Sequence, residues 1–111
     1  MSKNHYAIID YDNRRSMVTD KEEKLPNINK KKAYALLCKK RKKNFNIFFD
    51  NTSIISKKLL CDANTKKYTI LAFKSSEDAI EARNEILEKN LDGDKTYQLI
   101  TTEPIDCYIV I

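Results

Sequence analysis

The stretch that decides the fold is "KKYTILAFKSSEDAIEA", residues 66 to 82. Residues 68 to 73 form a short apolar run rich in aromatic and β-branched side chains, which predicts a strand. Ser75 or Ser76 then stands where a helix N-cap is expected, and two acidic residues follow in the first turn, where they favour the helix dipole. The stretch therefore predicts a strand that leads directly into a helix ending near Asn90.

The spacing of apolar residues in that helix predicts which side is buried. Four apolar residues recur at helical spacing; two glutamates lie between them and a third follows the last. We expect Ala79, Ala82, Ile86 and Leu87 to face the core, and Glu81, Glu85 and Glu88 to face water.

The elements that precede this strand and helix are predicted from the spacing of apolar residues and from turn-forming residues. "HYAIIDY" (5 to 11) alternates like a strand, and an Asp-Asn pair precedes "RRSMVT", so an N-terminal hairpin is expected within residues 1 to 23. "KKKAYALLCKKRKK" (30 to 43) is predicted to be a helix capped by Asn29, with a short apolar stripe. "FNIFF" (45 to 49) is predicted to be a strand.

Three further segments complete the predicted sheet. Residues 54 to 62, "IISKKLLCD", fit neither period cleanly and are interpreted as a strand. "TYQLIT" (96 to 101) and "CYIVI" (107 to 111) are predicted strands. The last is apolar on both faces, so we expect it inside the sheet or covered.

The length and composition suit one domain, residues 1 to 111, since 41% of the residues are apolar. Short strands, two helices and tight connections predict an α+β fold. The expected architecture is a ferredoxin-like two-layer sandwich. It would have a mainly antiparallel sheet, two helices on one face and the N-terminal β-hairpin.

The three cysteines, Cys38, Cys61 and Cys107, are widely spaced and each lies among apolar residues. This pattern favours buried thiols in a reducing compartment over metal ligands. No secretory signal pattern is visible, and no apolar run approaches the ~18 residues of a membrane span. We expect an intracellular protein, cytoplasmic or nuclear, that does not bind a membrane.

The net charge of +5 is unevenly distributed. Residues 24 to 76 carry 14 Lys and Arg against two acids, a net of +12, whereas residues 77 to 111 carry nine acids against three cations, a net of −6. The densest cluster, residues 30 to 43, holds eight cations in fourteen positions. Such clusters favour a polyanionic partner, although a solvated, lysine-rich surface gives the same pattern.

Residues 66 to 73, "KKYTILAF", resemble the octapeptide of the RNA-recognition-motif family, and the resemblance extends over about residues 60 to 100. Lys66, Tyr68 and Phe73 match that pattern, and Leu71 replaces its valine. The resemblance implies a ferredoxin-like fold and RNA bases stacked on the open face of the sheet, where Tyr68 would lie. The sequence departs from the family at its central aromatic position, which is isoleucine, and at its two small positions, which are Lys67 and threonine.

Two functional classes follow from these features. The first is a small non-enzymatic module that binds nucleic acid, RNA or single-stranded, through a basic face. The second is a protein-interaction regulator, such as a viral or host-takeover inhibitor, that docks by charge complementarity on an acidic protein surface or on a copy of itself. The predicted nucleic-acid-binding residues are Lys30, Lys31, Lys32, Lys39, Lys40, Arg41, Lys42, Lys43, Lys66, Lys67 and Tyr68.

An enzyme is the third class, and it depends on Asp10 and Asp12, which follow apolar residues as metal-binding carboxylates sometimes do. Asp50 is the only other carboxylate in a comparable place, and an Asp-Asn pair beside a strand is mostly turn chemistry. His5 is the only histidine and has no evident nucleophilic partner. We therefore predict no catalytic site, no metal and no cofactor.

Overall fold

The computed structural model describes residues 5–10, 12, 15–22, 25, 27–40, 53–88, 97–101 and 103–111. The elements within these ranges are strands β1 (Tyr6–Asp10), β2 (Arg15–Thr19), β3 (Lys30–Lys40), β4 (Leu59–Asn64), β5 (Tyr68–Phe73), β6 (Tyr97–Leu99) and β7 (Ile105–Val110), and helices α1 (Ile54–Lys58) and α2 (Ser76–Glu88).

The strands form one sheet in the order β2-β1-β7-β3-β5-β4, with the short β6 also beside β3. β1 and β7 are parallel, and the other pairs are antiparallel. The predicted position of the last strand is confirmed, because β7 lies between β1 and β3. The predicted N-terminal hairpin is also confirmed by the pairing of β1 with β2; its turn lies largely outside the described residues.

The sheet buries apolar side chains on both faces. One face, here called the inner face, receives apolar side chains from all six strands of the main order, with Ala33, Leu37 and Ile70 at its centre. The opposite, outer face is covered by α1 and α2 over part of its area, where Leu36 and Phe73 pack on the helices. Side chains alternate between the faces along each strand, so a central strand is apolar on both sides.

The prediction of an α+β fold is confirmed, but the ferredoxin-like two-layer sandwich is wrong. The sheet curls into a half-barrel of six strands. The reason is the second apolar face: strands at both edges, through Val18 of β2 and Ala63 of β4, contribute to the same inner core. Curling lets the sheet cover this core with its own strands.

The predicted helix over residues 30 to 43 is wrong, because residues 30 to 40 form strand β3. Lys, Ala and Leu favour helices, but burial between two apolar faces outweighs that preference. Alternate residues Ala35 and Leu37 enter the inner core, while Leu36 and Cys38 contact the helices. A strand buried on both sides has no polar alternation, so its sequence period does not distinguish it from a buried helix.

The predictions for the other elements have mixed outcomes. The strand over residues 68 to 73 is confirmed, and Ser75 caps α2, since its Oγ accepts a hydrogen bond from the N–H of Asp78 (3.1 Å). The single strand predicted over residues 54 to 62 is half wrong, because α1 occupies its first part. The strand predicted over residues 45 to 49 lies outside the described residues.

The predicted polarity of α2 is wrong at two positions. Leu87 is 57% exposed, whereas Glu85 is buried. The Glu85 carboxylate accepts hydrogen bonds from the backbone N–H groups of Ile54 (3.0 Å) and Ile55 (3.3 Å) at the start of α1. Glu85 therefore ties the two helices together by satisfying donors that a helix N-terminus leaves unpaired.

Candidate nucleic-acid interface

The turn between β4 and β5 presents two predicted site residues to solvent. Lys66 and Lys67 are both exposed. Thr65 closes the turn, because its N–H donates to the carbonyl of Tyr68 (2.8 Å) and its Oγ1 accepts from the N–H of Tyr68 (2.9 Å). These bonds leave the two lysines at the tip of a tight hairpin with their side chains directed away from the core.

Lys39 and Tyr68 are cross-strand partners at the same end of the sheet. Lys39 is exposed, and the half-buried Tyr68 packs against the inner core. We call Lys39, Lys66, Lys67 and Tyr68 the hairpin cluster. It joins three cations and an aromatic ring, the combination with which proteins hold single-stranded nucleic acid.

The inner face beyond Tyr68 is not an open platform. Ile70 and Ala72 follow Tyr68 on this face, and both are fully buried in the core of the half-barrel. A base could therefore approach the end of β5 at Tyr68, but not the centre of the strand.

Four of the predicted cations lie at the end of β3 or beyond it. Lys40 is the last residue of β3, and its side chain is not described. Arg41, Lys42 and Lys43 lie outside the described residues, so their assignment to the site stays a prediction.

The structure separates the remaining lysines from the hairpin cluster. Lys30, Lys31 and Lys32 occupy the first part of β3, and Lys39 lies near its end. Nine residues of strand separate Lys30 from Lys39, which corresponds to about 30 Å. The predicted site residues therefore belong to two distinct surfaces.

The second surface lies on the outer face at the border of the area that α1 and α2 cover, where Tyr34 packs against the helix-covered cluster. It consists of Lys30, Lys32 and Tyr34 on β3 and of Asp106 and Tyr108 on β7, and we call it the lysine–tyrosine face. Lys32 pairs with Tyr108 in the strand register, and Tyr34 pairs with Asp106. The side chains of Lys32 and Asp106 are 45% and 42% exposed, so this part of the sheet is open to solvent among the described residues.

The lysines of this face lie over the tyrosine rings. The Nζ of Lys32 is 5.4 Å from the ring centroid of Tyr34 and 5.8 Å from that of Tyr108, and the Nζ of Lys30 is 5.5 Å from the Tyr108 centroid. These are cation–π distances. The rings and cations thus restrain one another on the surface.

Asp106 provides the acidic member of the face. Its Oδ1 lies 3.0 Å from the Nζ of Lys32. The hydrogen bond to Asp106 is the main reason that the pKa of Lys32 is raised above its usual value, against a smaller opposing effect of burial. The pairing with Asp106 thus stabilises the charged form of Lys32, which already prevails at neutral pH.

An open cleft continues this surface on the side of β1 and β2, and its lining also includes Asn64, the last residue of β4. Its volume is about 660 Å³, within the range of small-ligand sites. Ile8, which pairs with Tyr108, and Val110, which pairs with Lys30, form part of its wall. The wall also includes Met17 and Ile28, which are apolar, and Asp10 and Arg15, which are charged.

Sequence reasoning missed Tyr34 and Tyr108 as candidate binding residues. In the helix predicted over residues 30 to 43, Tyr34 does not share a face with both Lys30 and Lys32. The sequence presents Tyr108 only as part of an apolar strand. The pattern Lys-x-Lys-x-Tyr over residues 30 to 34 is the available signal, since a strand places all three side chains on one face.

The carboxylates considered for an enzyme lie only partly within the described residues. Asp10 ends β1 and Asp12 follows in the turn region, whereas Asp50 is outside the described residues. In the part of the chain that the structure describes, no group of three or more His, Cys, Asp or Glu residues could hold a metal ion.

Comparison with protein-family models, curated proteins and solved structures finds no match for this chain. The resemblance to the RNA-recognition-motif family therefore stays a prediction from the residues. Among the described residues no helix has the length and apolarity needed to cross a membrane.

Proposed function

We propose that the protein is a small, non-enzymatic binding module that holds a nucleic acid, RNA or single-stranded, through its basic surfaces. The hairpin cluster is the observation that carries this proposal. Lys66 and Lys67 extend from a tight turn, and Lys39 lies beside the half-buried ring of Tyr68. Lysines placed this way can neutralise phosphates while the ring edge contacts a base.

The proposal includes an intracellular location, cytoplasmic or nuclear. It rests on the three cysteines, which are widely spaced in the sequence, form no C-x-x-C pair and lie among apolar residues. Cys38 and Cys107 are buried, and Cys61 is half-buried. Scattered cysteines in apolar surroundings are typical of proteins in reducing compartments.

The first test removes the two lysines at the hairpin tip. We expect Lys66→Ala with Lys67→Ala to weaken binding of labelled single-stranded RNA or DNA, measured by fluorescence anisotropy between low and physiological salt. The salt dependence should also flatten, by about 0.7 in the logarithmic slope for each phosphate of the single strand that the variant no longer neutralises.

Lys57 and Lys58 give a matched control for this test. They are also consecutive and exposed, but they end α1 rather than the hairpin, and their replacement by alanine removes the same charge. If both double variants weakened nucleic-acid binding equally, the loss of net charge would explain the effect, and this result would contradict the hairpin site.

The alternative, docking on an acidic protein surface, is the other outcome of the same titration. Failure of the unmodified protein to bind any nucleic acid at physiological salt would favour it. In a variant of this alternative, the glutamates of α2 would imitate the phosphates of a nucleic acid. Only Glu81 and Glu88 are exposed for that role, because Glu85 is buried against α1.

A further inference from the structure

We infer that the lysine–tyrosine face is a second nucleic-acid contact, which stacks unpaired bases of a single strand on Tyr34 and Tyr108. This inference rests on the proposed function and assigns to it a surface on the opposite end of β3. The surface is not the open sheet face that the resemblance implies, because that inner face is filled by the core.

The rings are positioned for two successive contacts. Tyr108 pairs with Lys32, and Tyr34 pairs with Asp106, so the two tyrosines are diagonal neighbours on adjacent strands. Diagonal neighbours in an antiparallel pair are about 7 to 8 Å apart. Both rings are half-buried, which fixes them while leaving part of each surface accessible.

The cations lie close enough to the rings to meet a backbone whose bases stack there. Lys30 and Lys32 both lie within 6 Å of the Tyr108 centroid. A base that stacks on a ring would displace part of the cation–π contact, and the ammonium group would then pair with a neighbouring phosphate. Asp106 can accept a hydrogen bond from a base amino group, as carboxylates do with cytosine.

The cleft beside the face offers room for a flanking base. The exposed Met17 and Ile28 form the apolar wall of the cleft together with Val110, which pairs with Lys30, and Arg15 is also part of the wall. An apolar wall with a cation at its edge fits the flat face of a base and its phosphate. A duplex fits poorly, because its bases already stack on one another and only their edges are accessible.

The experiment compares two substitutions at the same positions. Tyr34→Phe with Tyr108→Phe keeps both rings, whereas Tyr34→Leu with Tyr108→Leu keeps apolar bulk but removes stacking. The probes are a labelled single-stranded RNA of about 12 nucleotides, the DNA of the same sequence, and its duplex, a length within the usual range of single-strand sites. Thermal unfolding of each variant verifies the fold, and Tyr108→Leu alone serves if the double variant does not fold.

We expect the leucine variant to bind the single strands at least about tenfold more weakly, the phenylalanine variant to bind like the unmodified protein, and duplex binding to be unchanged. Unchanged single-strand binding by the leucine variant, together with weakened binding by the Lys66→Ala and Lys67→Ala variant, would overturn this inference and leave the proposed function standing. Equal weakening for duplex and single strand would also overturn it, since stacking would not be the cause. No binding by the unmodified protein would overturn both.

Discussion

At the scale of single residues, the thiol of Cys107 has a pKa far from its ordinary value. Burial, with a smaller effect of nearby Cys61, raises the pKa of its thiol from 9.0 to about 12. The unfolded chain therefore loses this proton at lower pH than the folded protein does. Since the folded state then binds more protons, the free energy of unfolding should fall as pH rises from about 9 to about 12.

The size of that decrease is on the order of 4 kcal/mol by pH 12, because each pH unit between the two pKa values is worth about 1.4 kcal/mol. Urea unfolding at several alkaline pH values measures it. Cys107→Ala is the control, since it removes only this thiol and should flatten the alkaline decline. An equally steep decline in the variant would show that tyrosines and lysines cause it instead.

At the scale of elements, the chain is predictable where a segment is buried on one side or carries a cap. The hairpin of β1 and β2, strand β5 and the Ser75 cap of α2 follow from alternation and turn residues. β3 does not, because Ala35, Leu36 and Leu37 are all buried and its period is hidden. The predicted site shared this error: a helix at residues 30 to 43 would have kept its lysines close together, whereas the strand divides them between its two ends, and the helix gives Tyr34 no role.

The irregular connection between β6 and β7 gives a test at this scale. β6 and β7 pair with the same edge of β3, and Leu37 lies between the two paired segments. The carbonyl of Leu37 accepts a hydrogen bond from the N–H of Ile100 (3.0 Å), and the N–H of Leu37 donates to the Oγ1 of Thr101 (3.0 Å). The Thr101 hydroxyl thus replaces a missing backbone partner in the middle of a buried strand.

We expect Thr101→Val to lower the free energy of unfolding by about 1 to 3 kcal/mol, the cost of a buried N–H without a partner. Thr101→Ser keeps the hydroxyl and should cost much less. Denaturant unfolding of the two variants measures the difference. If the valine and serine variants were equally stable, the N–H of Leu37 would have another acceptor in the valine variant, and the Thr101 hydroxyl would not be needed to stabilise the connection between β6 and β7.

At the scale of the whole molecule, the charge polarity of the sequence is partly cancelled by the fold. β7 comes from the acidic part of the chain, yet it lies against the lysines of β3, where Asp106 pairs with Lys32. Within the acidic part of the sequence, Nη1 of Arg83 lies 3.6 Å from Oε1 of Glu103. The charge that stays concentrated is at the hairpin cluster, at the other end of β3.

Two contacts at opposite ends of β3 predict how affinity depends on the length of a single strand. Along β3, Tyr34 lies about 17 Å from Lys39 and Lys30 lies about 30 Å from it, and α1 and α2 cover part of the outer face between the two contacts. An oligonucleotide of about 4 nucleotides covers roughly 14 Å at the 3.4 Å spacing of a duplex strand, whereas one of about 20 covers roughly 70 Å. Only the longer strand can reach both contacts, and the second contact then forms within one complex at a high effective concentration.

We therefore expect the increase in affinity from about 4 to about 20 nucleotides to be larger for the unmodified protein than for the variant with Lys66→Ala and Lys67→Ala. Longer strands also offer more binding registers, but that statistical gain is the same for both proteins and cancels in the comparison. Anisotropy titrations of both lengths at one salt concentration measure the two ratios. Equal ratios would mean that each strand occupies one contact at a time, so that the two ends of β3 bind separate strands.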